Sequence, residues 1–122
     1  MRGVKKGLEY AILTNEITKA WTGLTTKQYK NLKDLKKENL RDNMTNLELV
    51  LNMLAETTTT EFSKKQKPKT LKENKKVAKT GGTVAGNARK DIEKKLGESV
   101  ISPLNAKELG KRDSDKIKRI EE

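Results

Sequence analysis

The fold of this chain is decided by one long amphipathic stretch, TNLELVLNMLAETTTTEFSK, residues 45–64. It opens with a capping box, in which the Thr45 hydroxyl accepts the N–H of Glu48 and the Glu48 carboxylate accepts the N–H of Thr45. Its apolar residues recur at helical spacing and form a broad face. They are Leu47, Leu49, Val50, Leu51, Met53, Leu54 and Ala55. We predict the central core helix here and assign it no chemical role.

The end of this helix is less sharply marked. Thr57 to Thr60 are β-branched residues, which favour helix weakly. We predict that the helix nevertheless continues to about residue 65 and ends before Pro68, because the residue before a proline disfavours helical backbone.

Upstream, the pattern predicts a loose lead-in over residues 1–8 and a first amphipathic helix over about 9–21. Gly23 fits a left-handed cap, and Thr25 then fits the N-cap of a short helix through Leu32. Two helices across a glycine turn also fit a helix-turn-helix motif. Any small bundle contains such a pair, so we interpret this one as structural.

Downstream, the sequence predicts two helices separated by a glycine pair. A lysine-rich helix covers residues 71–79, Gly81 and Gly82 end it, and a new helix runs from Thr83 to about Leu96.

After Gly97 the sequence predicts only short secondary-structure elements. We expect one very short β step at 100–101, and a helix over 103–109 with Ser102 as its N-cap. The fold class is all-α, a small bundle of five to six helices around the helix near 45–64. One domain covers residues 1–110, and 111–122 form a charged tail.

Composition excludes several kinds of chemistry. The 122 residues include no cysteine and no histidine. This excludes thiolate and imidazole metal sites and nucleophilic mechanisms that need either residue. Asp91 and Glu93 point to different faces of a helix and form no catalytic dyad. We expect a cytoplasmic protein that is not an enzyme, with no cofactor, no metal and no membrane segment.

Positive charge is concentrated in one third of the chain. The formal net charge is +11, and residues 64–95 hold 12 Lys and Arg against 3 Asp and Glu. Such a field attracts polyanions, of which nucleic acid is the commonest. A solvated lysine-rich face is the alternative, and the sequence leaves both open.

The glycine cluster carries the candidate site. Gly81 and Gly86 have the spacing that begins a phosphate-binding P-loop, but Asn87 and Ala88 replace the Lys and Ser/Thr that nucleotide hydrolysis requires. A milder hypothesis is an anion site at the free amides of residues 83–86. The alternative is a tight turn with close helix packing.

The residues that we predict to bind nucleic-acid phosphates surround these glycines. They are Lys75, Lys76, Lys79, Gly81, Gly82, Thr83, Asn87, Arg89 and Lys90. Asn87 and Arg89 are types that also read base edges, although nothing in the sequence places them in a groove.

Two blocks of this chain resemble the DNA-damage-inducible protein D family, which is grouped with phage antirepressors of the Bro type. They are LRDNMTNLELVLNMLAE, residues 40–56, and the pattern GG-x-x-AGNAR-x-x-IE-x-x-x-G, residues 81–97. The resemblance spans about residues 10–109 and covers the C-terminal module, without the Bro-type domain that precedes it in larger members.

The resemblance implies a protein of the DNA-damage response that acts on DNA or on proteins bound to it. Our first hypothesis is a non-enzymatic DNA-associated regulator. The alternative is an interaction module of antirepressor kind, which binds a repressor or a recombinase filament. Self-association as a homo-oligomer is a further hypothesis, because the predicted core is small.

Overall fold

The computed structural model describes residues 2–110, with side chains from residue 7 onward. This part of the chain is built from helices and contains no strand, which confirms the all-α fold class. The helices are α1 (Arg2–Thr22), α2 (Thr26–Leu32), a 3-10 helix (Arg41–Asn43), α3 (Asn46–Gln66) and α4 (Leu71–Leu96). A last helical stretch covers 106–110. The predicted charged tail, 111–122, lies outside the described residues.

Three helices begin with capping boxes. In each box, a threonine hydroxyl accepts the N–H three residues on at 3.1 Å, and the side chain at that position returns to the N–H of the threonine. The threonines are Thr25, Thr45 and Thr70. The predicted start of α3 is therefore confirmed, as is its continuation through the threonine run. The hydroxyls of Thr59 and Thr60 bond to carbonyls one turn back, at 2.8 and 2.9 Å.

The predicted helix break at Gly81 and Gly82 is wrong, because α4 is one continuous helix of 26 residues. Both glycines are buried in its middle. A Cβ on Gly81 would lie 2.7 Å from the backbone nitrogen of Thr59 in α3, and one on Gly82 would lie 2.8 Å from the carbonyl oxygen of Ile17 in α1. These glycines let two helices approach the α4 backbone, and this packing outweighs their weak helix propensity.

The central position in the bundle belongs to α4, whereas the sequence predicted α3. α4 packs extensively along both α1 and α3, which contact each other little. Leu51 and Ala55 of α3 are buried as predicted, but Val50 and Met53 are 60% and 45% exposed. In the part of the chain that the structure describes, α3 packs extensively along α4 alone, so part of its broad apolar face remains uncovered.

Three further predictions need correction. Helix α1 begins at Arg2, so no loose lead-in precedes it in the described chain. Residues 100–101 form no strand, and the last helical stretch begins at residue 106. Its cap is Asn105, whose side-chain oxygen accepts the N–H of Glu108 at 3.2 Å, so Ser102 is not the N-cap.

The core lies where α1, α2 and α3 meet α4. Trp21 and Tyr29 are fully buried and meet edge to face, with ring centroids 6.2 Å apart. The Trp21 indole N–H donates to Asn52 Oδ1 at 3.2 Å. Ala85 and Val100 complete the same cluster.

None of the helices that the structure describes is long and apolar enough to cross a bilayer.

Candidate nucleic-acid interface

The continuity of α4 creates an exposed basic stripe along its outer face. Seven positions follow one another at intervals of three or four residues, which places them on one side of an α-helix. All seven are exposed. They are Lys72, Lys76, Lys79, Thr83, Asn87, Lys90 and Lys94, and we call them the basic stripe.

The length of the stripe follows from the continuity of α4. From Lys72 to Lys94 it extends about 33 Å, at a rise of about 1.5 Å per residue. This length is close to one turn of B-form DNA, which is about 34 Å. A break at the glycines would have divided the stripe into two short pieces with unrelated directions.

The charge of the stripe is not neutralised by its neighbours. Among the side chains described, those of residues 7–110, none of its five lysines forms an ion pair. Two acids of α4 lie beside it and are already engaged. Glu73, at the start of α4, accepts the N–H of Lys69 at 2.7 Å. Asp91 pairs with Lys95 at 2.8 Å.

The structure places five of the nine predicted site residues on the basic stripe. They are Lys76, Lys79, Thr83, Asn87 and Lys90. Lys75 lies at its flank, where Nζ is 3.9 Å from Glu16 of α1. Gly81 and Gly82 lie on the opposite, buried side of α4.

Arg89 lies between α1 and α4. Its Nε donates to the carbonyl oxygen of Trp21 at 2.6 Å, and one terminal nitrogen donates to Glu93 Oε1 at 2.6 Å. The side chain is only 15% exposed. Arg89 therefore holds two helices together and does not share the exposed face of the stripe.

The predicted anion site at a helix start is wrong. The amides of residues 83–86 lie within α4 and are used by its own backbone hydrogen bonds. The structure supports the alternative in which the glycines allow close helix packing. The tight turn predicted with it is absent, because α4 continues through the glycines.

Lys72 and Lys94 were not among the predicted site residues. The predicted break at the glycines placed them on separate helices, so their shared face was hidden. Their spacing of 22 residues, together with the positions between them, was the signal that could have revealed the stripe.

A buried charged cluster was also missed. Lys33 and Glu48 are fully buried and 2.8 Å apart, and the Tyr29 hydroxyl donates to the same carboxylate. Lys33 also donates to the carbonyl oxygen of Leu104 at 2.8 Å. Burial raises the pKa of Tyr29 well above its ordinary value, and the Glu48 carboxylate raises it further. The cluster joins α2 and α3 to the segment after α4, and its location makes it structural.

The segment after α4 is held by a second carboxylate. Glu93 accepts the N–H of Val100 at 2.9 Å and the hydroxyl of Ser99 at 3.3 Å. Burial alone raises the pKa of Glu93, but the Val100 N–H and the Arg89 guanidinium outweigh it and lower the pKa below the usual value.

These features define a class: a small all-α bundle built around one glycine-containing helix whose outer face is basic. The sequence model of the DinD C-terminal domain family matches residues 1–110. The chain belongs to this family, which confirms the family resemblance seen in its sequence and makes it a member of a DNA-damage-inducible group. No curated protein and no solved structure matches it.

Proposed function

We propose that this protein is a non-enzymatic, DNA-associated regulator of the DNA-damage response that contacts phosphates through the basic stripe. The observation that carries the proposal is the stripe itself, five exposed lysines on one face of α4 with no ion-pair partner in the described chain. Lysine is a compact, flexible cation that binds phosphate as a point charge.

The centre of the stripe adds polar groups. Thr83 and Asn87 lie between the two groups of lysines and are exposed. Hydroxyl and amide side chains donate to phosphate oxygens, and asparagine also pairs with adenine edges. In this arrangement the lysines supply most of the affinity, while the central pair sets the position of the helix on the nucleic acid.

The experiment that tests the proposal is a salt titration of DNA binding. Fluorescence anisotropy of a labelled duplex and of a single strand of the same sequence would be recorded with the full chain. We expect log Kd to rise linearly with log salt, with a slope of about 0.9 for each duplex phosphate neutralised. Absence of binding to both DNAs at low salt would rule the proposal out.

A matched pair of variants locates the contact. Lys76→Gln/Lys79→Gln/Lys90→Gln removes three charges from the basic stripe, and a control triple removes three charges elsewhere. The control is Lys27→Gln/Lys30→Gln/Lys36→Gln. We expect the stripe triple to lower the salt slope by about one for each lysine, and the control to change it much less. Equal losses would show that net charge alone drives binding.

A second candidate function is binding to a repressor or recombinase protein. It is favoured by the apolar residues that α3 leaves exposed, Val50, Met53 and Leu54. The apolar side of α4, formed by Ala85, Ala88 and Ile92, is not free for a partner, because it packs in the core of this chain. Capture of a bacterial repressor or recombinase that survives nuclease and high salt, and that Val50→Ser/Met53→Ser abolishes, would support this function over DNA binding.

A further inference from the structure

A groove between α1 and α2 is not accounted for by either function. Its volume is about 690 Å³, within the range of about 300–1,000 Å³ typical of binding pockets. Leu35, only 6% exposed, and Ala11 contribute apolar surface, while the Tyr10 ring is 74% exposed at its border. An exposed tyrosine beside apolar surface is typical of an interface, where the ring offers large contact area at low entropic cost.

Hydrogen bonds within the chain hold the groove together. The side-chain oxygen of Asn15 on α1 accepts the N–H of Thr26 at the start of α2 at 2.9 Å. Leu35 is held beneath α2 by its N–H, which donates to the carbonyl oxygen of Lys30 at 2.9 Å. The first bond fixes the start of α2 against α1, and the second holds Leu35 in place at the end of α2. Walls that are already held in this way lower the ordering cost of binding.

The charge of the groove has a single sign. Lys27, Lys30 and Lys36 line it, and no aspartate or glutamate does. None of the three forms an ion pair with a side chain of residues 7–110. Glu38 accepts the backbone N–H of Lys36 at 2.7 Å but does not line the groove. An apolar floor with an unneutralised basic border is complementary to an acidic ligand that carries apolar groups.

The groove is separated from the basic stripe. On α1, Ala11 and Asn15 line the groove, whereas Ile17 and Ala20 meet the α4 backbone at Gly82. At 3.6 residues per turn, Ala11 and Ala20 lie on opposite sides of α1. Helix α1 therefore stands between the two surfaces, and both can be occupied at once.

We propose that the groove between α1 and α2 binds an acidic segment of a partner protein, with an apolar side chain against Leu35 and Ala11 and carboxylates at Lys27, Lys30 and Lys36. A protein segment fits better than nucleic acid. Single strands bind through successive aromatic rings, and Tyr10 is the one ring that lines this groove.

The test uses a short fluorescein-labelled peptide of glutamates with two leucines at helical spacing, and the full protein. Anisotropy should show saturable binding. A peptide with serines for the leucines should bind about tenfold more weakly, because the apolar floor is then unused. Lys27→Glu/Lys30→Glu should also raise Kd about tenfold or more, while the stripe triple should leave it within about twofold.

Circular dichroism melting shows whether each variant is folded. Tyr10→Ala replaces an exposed side chain and tests the groove without a change of charge. It should weaken peptide binding and leave duplex binding unchanged. The proposal is overturned if the serine peptide binds as tightly as the leucine peptide, or if the stripe triple weakens peptide binding as much as Lys27→Glu/Lys30→Glu. It is also overturned if a single-stranded oligonucleotide, rather than the peptide, is the ligand whose binding depends on Tyr10. Loss of DNA binding by the stripe triple with intact peptide binding separates this site from the proposed function.

Discussion

The Arg89 side chain donates from Nε to the carbonyl oxygen of Trp21 at 2.6 Å and so joins the C-terminal half of α4 to the last turn of α1. The same guanidinium pairs with Glu93, whose other oxygen accepts the N–H of Val100 at 2.9 Å. One arginine thus connects α1, α4 and the segment that follows α4. Because Arg89 lies behind the basic stripe, replacing it shows whether a basic residue in this region stabilises the fold or contacts DNA.

We expect Arg89→Ala to lower the free energy of unfolding by about 2 kcal/mol, because it removes charge-assisted hydrogen bonds to a backbone carbonyl and to a half-buried carboxylate. Urea denaturation measures this change. The neighbouring Lys90→Ala, on the exposed side, should change stability by less than about 0.5 kcal/mol. A reversed order, with Lys90→Ala the more damaging, would contradict the assigned roles.

Gly82→Ala should destabilise the protein by about 2 kcal/mol, although alanine favours helix over glycine. The new methyl group would lie 2.5 Å from Ala20 Cβ and 2.8 Å from the Ile17 carbonyl oxygen. Gly7 provides the matched control, since it is helical and a methyl group added to it would have nothing within 4 Å. Gly7→Ala should raise the free energy of unfolding by about 0.5 kcal/mol. The interpretation fails if both substitutions stabilise.

Lys33→Met should cost about 3–5 kcal/mol, because it leaves the Glu48 carboxylate buried without its cation. Both side chains are fully buried in the ion pair. Chemical denaturation would measure the loss, with Lys37→Met as an exposed control. If Lys33→Met were nearly neutral, the pair would not be the buried link between α2 and α3 that the structure shows.

Alkaline pH should destabilise the protein through Tyr29. Its pKa in the folded state is raised by burial and by Glu48, well above the unfolded value of about 10. The stabilisation is therefore complete below about pH 10 and is lost as pH rises above it, by up to ~1.4 kcal/mol per pH unit.

The measurement compares unfolding free energies from pH 9 to 11 in variants. Tyr29→Phe should show a shallower decline than the wild type. The difference between the two proteins, and not the decline of the wild type alone, measures the contribution of Tyr29. Tyr10→Phe, on an exposed ring, should follow the wild type. If Tyr29→Phe loses unfolding free energy as steeply as the wild type between pH 9 and 11, the loss arises from other groups.

Thr83→Lys should tighten DNA binding. Thr83 and Asn87 are the exposed positions between Lys79 and Lys90 where the stripe lacks charge, and Thr83 is the one next to Lys79 along the stripe. An added lysine there should increase the salt slope by about one. Thr80→Lys, exposed but outside the stripe, is the control and should have a smaller effect. Equal gains would indicate that position on α4 does not matter.

Much of the fold could be predicted because its signals are local. The capping box of Thr45 and Glu48 involves residues three apart, and Gly23 ends α1 with a φ of 81°, as its sequence context indicated. The sequence also singled out the stripe residues from Lys76 to Lys90. That these residues share one face could not be predicted, because they do so only if α4 continues through its glycines.

Neighbouring residues along the chain were enough to predict the helical class, the capped start of α3 and the concentration of positive charge near α4. The roles of Gly81, Gly82 and Arg89 depend instead on contacts between helices. Glycine in a helix costs about 1 kcal/mol locally, which predicts a break when the chain is considered alone. Contact with α1 and α3 reverses that balance, because a backbone without side chains admits both helices. The continuous α4 then turns Arg89 inward and aligns the lysines outward.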